Sequence, residues 1–392
     1  MEVLGRYYTI KAVSNLLVSK FQQHSPKSIL DLGVGDGSLL KAAYNRWKDS
    51  QFYAVDVDSI IISRISSRLP FANILHIDGL SPNFAQEINL KVGSIDIAVC
   101  NPPYHRMKNS QAVRSLLKEA ELPRSTRLPR ITSDVMFLAQ NLKMLREGGE
   151  LGIILPDSIF TGHEFTKLRQ DLLTNHEILG VIQLPDKVFA KTEARTHILL
   201  SKKNGISSSR IPLYQSNHYG ELGKAIFVSK EESIYRMDYS FYSWKRNQGK
   251  ENSYLTLEGL NVEIIRGSRS KKELQNMGIQ YFHTSSFPDS LSSKAKLQNS
   301  VIKNAIIAEP GDILMARVGK RCIGRVTMVE SGRQIISDCV YRIRSPKKYR
   351  EIIWRSLISE EGQRWLKAHA HGVCSQVISK KDLLSFKVEE DL

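Results

Sequence analysis

Between residues 27 and 203, short runs of apolar and β-branched residues alternate with stretches of helical period. The runs 28–32, 52–57, 73–76 and 95–100 predict strands, and 38–46 and 59–69 between them predict helices. Three further runs, 150–155, 179–184 and 197–201, predict strands. Residues 132–146 predict an amphipathic helix that stops at Gly148-Gly149. Strands that alternate with helices need right-handed crossovers, so the expected fold is α/β, with a doubly wound, mostly parallel, seven-stranded sheet.

After Lys203 the pattern breaks at Asn204-Gly205-Ile206-Ser207-Ser208-Ser209-Arg210. The reading is a sheet domain over 1–203, a connecting segment over 204–253 and a second, α+β unit over 254–392. A chain of 392 residues suits more than one domain, and 41% hydrophobic with 24% charged residues is globular composition. No run approaches the roughly 20 apolar residues of a membrane-spanning helix, so no membrane partner is expected. Met1–Lys20 lacks a secretory pattern, and Cys100, Cys322, Cys339 and Cys374 form no CxxC pair. Together these make a cytoplasmic protein the expectation. The 56 Lys plus Arg against 40 Asp plus Glu give +16, which attracts polyanions, nucleic acid first among them. Charge does not choose between DNA and RNA.

The first predicted strand runs into Asp31-Leu32-Gly33-Val34-Gly35-Asp36-Gly37-Ser38. Glycines permit a tight turn and close ligand approach, and in an open α/β sheet this position is the ligand crevice. A dinucleotide fingerprint needs its third glycine where Ser38 stands, so the motif points to a nucleoside without pyrophosphate. Asp56, at the tip of the second strand, is placed to hold a ribose diol. Asp58 suits the start of the next helix. Asp78 closes the third strand, where it either accepts from an adenine amino group or serves as a turn aspartate before Gly79.

The fourth strand ends in Asn101-Pro102-Pro103-Tyr104. Two prolines fix the backbone and remove two donors, leaving outward carbonyls. Asn101 Oδ1 and the Pro102 carbonyl are a pair of acceptors for the two protons of an exocyclic amine, and Tyr104 offers a face for its ring. Acceptors fixed where charge develops are electrostatic preorganisation, and the chemistry requires neither a separate nucleophile nor a metal.

Asp31–Gly37 followed by Asn101-Pro102-Pro103-Tyr104 resembles the S-adenosylmethionine-dependent amino-methyltransferases, in the gamma-class order of DNA adenine-N6 methyltransferases. That resemblance implies the class I methyltransferase sheet and S-adenosylmethionine as cofactor. It implies cofactor contacts from Asp31, Gly33, Gly35, Asp56, Asp78 and Asn101, and transfer by Asn101, Pro102, Pro103 and Tyr104. Gly5-Arg6-Tyr7-Tyr8-Thr9 resembles the family's Y-T-P segment, with Ile10 in place of proline, and implies Tyr8 and Thr9 near the methionine carboxylate. Residues 184–189 resemble the segment that supplies an aromatic to a flipped base, implying Phe189 opposite Tyr104; a core position is the alternative. The Asn-Pro-Pro-Tyr motif is also shared with ribosomal RNA methyltransferases and a glutamine methyltransferase of release factors, so it fixes the chemistry better than the substrate.

In the second unit, Gly311–Gly319, Ile323-Gly324 and Ile336-Ser337-Asp338 resemble target-recognition domains of type I restriction specificity subunits. Double-stranded DNA is thus the expected partner, with a separate restriction endonuclease or defence-system subunit as a further candidate. Arg106, Arg266, Arg317, Lys320 and Arg321 are the candidate DNA contacts. The basic stretch 105–130 reads either as a mobile loop that closes over DNA or as a disordered insertion. The resulting expectation is a site-specific DNA adenine-N6 methyltransferase of a restriction–modification or related defence system. An RNA base methyltransferase, a specificity subunit without turnover and an N4-cytosine methylase are the rivals.

Overall fold

The computed structural model describes residues 9–186, 188–189, 195–247, 255–319, 322–371 and 376–388. The chain forms two compact units, Met1–Tyr242 and Ser243–Leu392.

The first unit is built on a nine-stranded sheet. Its strands are β1 (Ser28–Leu32), β2 (Gln51–Asp56), β3 (Ala72–His76), β4 (Ile95–Cys100), β5 (Leu145–Pro156), β6 (His176–Gln183), β7 (Thr196–Lys203), β8 (Arg210–Gln215) and β9 (Ile226–Ser229). The spatial order is β9-β8-β6-β7-β5-β4-β1-β2-β3. The run from β3 to β5 is parallel throughout, and β7 is antiparallel to both its neighbours. The expected seven strands are all present, and the sheet then continues. Arg210–Gln215 and Ile226–Ser229 lie in the segment read as a connection, yet β8 pairs with β6 and β9 with β8. Ile211, Leu213, Ile226 and Val228 are buried in the core, so the first unit extends past Lys203 to Tyr242.

Both faces of this sheet are covered, which explains the nearly unbroken apolar strands. Leu30, Leu32, Val55, Ala98 and Cys100 point to one core, together with helix Ser133–Met144. Ile29, Phe52, Ala54, Ile97 and Val99 point to the other, with helices Lys11–Ser19, Ser38–Arg46 and Ser59–Ser66. The strand period of two divides each run between the two layers.

The second unit holds a five-stranded sheet around Ile313–Ala316, a three-stranded sheet around Gln334–Ile336 and the helices Arg350–Ile358 and Glu360–His369. Its glycine-aspartate turn is structural. Gly311 sits at φ +87°, and buried Asp312 takes Arg344 Nε and Nη2, each at 2.7 Å. Gly267 is required by close approach, since a Cβ there would lie 2.2 Å from the Ser337 carbonyl oxygen.

Candidate active site

Parallel register brings the carboxyl ends of β1 to β4 to one rim. Asp31 pairs with Ala54 and Val99, and Asp56 pairs with His76. A cavity of about 380 Å³ opens at this rim, lined by Thr9, Asp31, Gly33, Gly35, Asp56, Asp78, Asn101, Pro102 and Pro103 among others. Tyr8 lies outside the described residues.

The glycine turn has the geometry its residues allow. Gly33, Gly35 and Gly37 have φ of +75°, +55° and +80°, values that cost a side chain but not a glycine. The Gly33 and Val34 N–H groups both donate to the Val55 carbonyl at 2.9 Å. Asp56 braces the same turn: Oδ2 accepts from Gly35 N–H at 3.1 Å and Oδ1 from Asp58 N–H at 3.0 Å. Each oxygen of a carboxylate accepts more than one hydrogen bond, so this bracing is compatible with holding a diol. Asp58 caps helix Ser59–Ser66 through Ile60 N–H. Asp78 Oδ1 accepts from Leu80 N–H at 2.9 Å, a turn aspartate that also lines the cavity.

Asp31 is the least ordinary group in the site. It is 1% exposed, and neither carboxylate oxygen has a hydrogen-bond partner among the described residues. Burial, then the nearby Asp56 and Asp36, hold its carboxyl well above the usual carboxylate range. Asp31, Asp36, Asp56 and Asp78 put four carboxylates on the wall, with no Lys or Arg among the described lining residues. Such a wall repels a pyrophosphate and attracts a cation. An orphaned buried carboxylate is costly alone and is compensated when a positive ligand arrives.

Asn101 lines the cavity, and its Nδ2 donates to Thr9 Oγ1 at 3.0 Å. With Nδ2 on Thr9, the amide's acceptor is Oδ1. Tyr104 is half-buried with its hydroxyl 3.4 Å from the Ile154 carbonyl, and it is not a wall of the cavity. Phe189, at 3% exposure, is packed in the apolar layer with Leu184 and Val188, the core position that was its alternative.

The stretch 105–130 is folded rather than a mobile or disordered loop. Helix Gln111–Glu119 buries Val113 and Leu117, and Leu122 and Leu128 follow them into the core. Asp171 clips the far end, accepting from Ser125 N–H and Oγ at 2.7 Å and from Arg124 Nη1 at 3.2 Å. Arg106 is exposed on the short strand Arg106–Met107, which pairs with Ile131–Thr132.

Three wall residues escape the sequence reading. Phe137 lies with its ring edge 3.5 Å from where a Cβ on Gly33 or on Gly79 would be, so both glycines leave room beside it. His105 and Met107 bring the short strand to the cavity edge. In the second unit, Arg266 and Arg317 converge on one residue. Arg266 Nη2 meets Asp338 Oδ2 at 2.8 Å, and Arg317 Nη1 donates to the Asp338 carbonyl at 3.0 Å. Lys320 and Arg321 lie outside the described residues.

A sequence profile described as N-6 DNA Methylase matches residues 2–256. The chain belongs to this family. Among curated relatives it is 23% identical over 222 residues to Type II methyltransferase M.BsuBI of Bacillus subtilis, which covers 51% of this chain and 43% of that one. It is 23% identical over 385 residues to Type II methyltransferase M.PstI of Providencia stuartii, covering 86% of this chain and 74% of that one. The chain spans about half the length of the first curated relatives it matches. Among solved structures, the type IIG restriction endonuclease BpuSI aligns with 97% of this chain and 57% of its own, at a TM-score of 0.50 and 13% identity. At that identity the likeness speaks to fold. The architecture is that of the class I methyltransferases, with additional sheets in the C-terminal region.

S-adenosylmethionine is the cofactor of this family, and the cavity suits it. A sulfonium and an ammonium outweigh one carboxylate, which gives the ligand the positive charge that Asp31 and its neighbours call for. Among the described residues no helix is long and apolar enough to cross a membrane.

Proposed function

We propose that this chain transfers a methyl group from S-adenosylmethionine to the N6 amino group of an adenine in duplex DNA. The observation that carries this reading is the Asn101 amide, hydrogen-bonded to Thr9 on the wall of an acidic cavity, with Pro102 beside it. When bound, the cofactor supplies an electrophilic methyl on a sulfonium.

The protein's own contribution is placement. Asn101 Oδ1 and the Pro102 carbonyl accept the two protons of the adenine amine, and this draws the nitrogen lone pair out of conjugation with the ring. Such fixed acceptors act where charge develops and need no reorganisation, an effect worth several kcal/mol in comparable sites. Tyr104 supplies a stacking face for the base. Asp31 meets the cofactor's positive end, Asp56 the ribose, and Asp78 with Phe137 the adenine of the cofactor. The target amine is paired within a duplex, so the nucleotide is extruded before reaction.

The second unit is the target-recognition domain in this reading. Arg106, on the first unit, and the arginines held by Asp338, on the second, meet the DNA backbone or base edges. Lys320 and Arg321 extend that set from sequence alone. In this reading the activity belongs to a restriction–modification system in the cytoplasm, with a separate endonuclease or defence subunit as partner; the likeness to relatives named as type II methyltransferases supports it. The test is labelled methyl incorporation by the purified chain into duplex DNA and, in parallel, into ribosomal RNA, with the modified base identified by mass spectrometry. N6-methyladenine in DNA is the expected product. Incorporation into RNA alone would replace the substrate, and N4-methylcytosine would replace the base.

A further inference from the structure

We propose that Ser133 is a positioning residue that holds the Asn101–Tyr104 segment in its reactive shape. The inference rests on the methyltransferase reading above and adds a residue to it. Pro102 and Pro103 have no N–H, so the segment cannot tie itself down through backbone donors at the positions where rigidity matters most. Of its outward carbonyls, that of Pro102 is wanted for the substrate amine. The carbonyl of Pro103 must be held elsewhere.

Ser133 does this. It is fully buried, the first residue of helix Ser133–Met144. Its Oγ donates to the Pro103 carbonyl and accepts from His105 N–H at 3.0 Å. Its own N–H donates to the His105 carbonyl at 2.9 Å. One residue thus engages three backbone atoms on the two sides of Tyr104.

The backbone and side-chain parts of this clamp separate cleanly. Arg106 is opposite Thr132 and Met107 opposite Ile131 in an antiparallel pair, so the register puts His105 opposite Ser133. Any residue at 133 would keep the backbone bond to the His105 carbonyl. The hydroxyl bridge between Pro103 and His105 needs serine or threonine. Pro103 and His105 both line the cavity, and the hydroxyl bonds to neither Asp31 nor Asp56, so it acts on the transfer segment and not on the carboxylates.

The experiment compares wild type, Ser133→Ala and Ser133→Thr in the full chain. The readouts are kcat and KM for duplex DNA, the cofactor dissociation constant by calorimetry, and amide hydrogen exchange of residues 104–106. Displacing a reactive group by about 1 Å costs about 100-fold, so Ser133→Ala is expected to lose 10- to 100-fold in kcat. The loss in kcat should exceed any change in KM or in the cofactor dissociation constant, since the bond holds the transfer segment. His105 exchange should quicken in the alanine variant, and Ser133→Thr should restore both kcat and protection. Unchanged kcat or unchanged exchange in a folded alanine variant overturns the proposal. So does a parallel loss of cofactor binding and thermal stability that threonine does not repair, because the residue is then structural. A wild-type chain without transfer to DNA overturns the underlying reading instead, and the exchange experiment tells the two failures apart.

Discussion

Asn101 Nδ2 donates to Thr9 Oγ1 at 3.0 Å, a bond between residues 92 positions apart that fixes the amide at the centre of the proposed chemistry. Thr9 was expected beside the cofactor's methionine end, and it is a wall of the cavity. Its hydroxyl also ties the amide of Asn101 to that wall.

Thr9→Val keeps the shape and removes the acceptor. A hydrogen bond of this kind is worth about 1 kcal/mol, so turnover should fall roughly fivefold. Thr9→Ser should keep most of it. Single-turnover rates with saturating cofactor measure the effect; equal rates for the valine and serine variants would remove the amide–hydroxyl bond from the mechanism.

Cofactor binding should release a proton. Burial, Asp56 and Asp36 raise the Asp31 carboxyl in the free protein, and a cationic ligand beside it favours the ionised form. Affinity should therefore rise with pH as the free protein's Asp31 becomes ionised. Calorimetry in two buffers of different ionisation enthalpy gives the proton count directly. Asp31→Asn should weaken binding and abolish the buffer dependence.

Asp134, on the first turn of helix Ser133–Met144, has its carboxyl pushed up to about 6 by burial, and its Oδ1 has no hydrogen-bond partner. A carboxylate raised in the folded state is destabilising above that value, where both folded and unfolded forms are ionised. As pH falls below about 6 the folded form takes up its proton first, and the penalty shrinks until the unfolded carboxyl also protonates near 3.8. Asp134→Asn should be more stable than wild type at pH 8 by about 3 kcal/mol. The gap should close between pH 6 and 4, as followed by urea unfolding at each pH.

Much of this architecture is legible in the sequence, and the exceptions have physical reasons. Residues 28–32 and 95–100 form strands with the expected bounds because both faces are buried and their apolar runs are interrupted only by Asp31 and Asp96 after Ser28 opens the first. Arg210–Gln215 is harder to see, since Pro212 sits within it and it meets β6 over only the three residues Leu213–Gln215. Phe137 is hidden because helix Ser133–Met144 is buried almost all round and shows no polar face from which to infer an inner one. Around residues 105–130, abundant Arg and Lys mask Val113, Leu117 and Ala120, whose helical spacing marks a core-facing side. Ser133 is a single hydroxyl whose partners are distant in the chain, and no local pattern announces it; Thr9 is announced by its segment, but its bond to Asn101 is not. For Phe189 the sequence left base and core as alternatives, and the packing puts it in an apolar layer.

The most direct test of the central claim is Asn101→Ala. Wild type and variant are compared for labelled methyl transfer into duplex DNA, with cofactor and DNA binding measured on the same preparations. The account expects transfer to fall by at least about 1,000-fold while DNA affinity is largely unchanged, as for loss of an acceptor that acts where charge develops. A folded Asn101→Ala protein that keeps most of the wild-type turnover would contradict it.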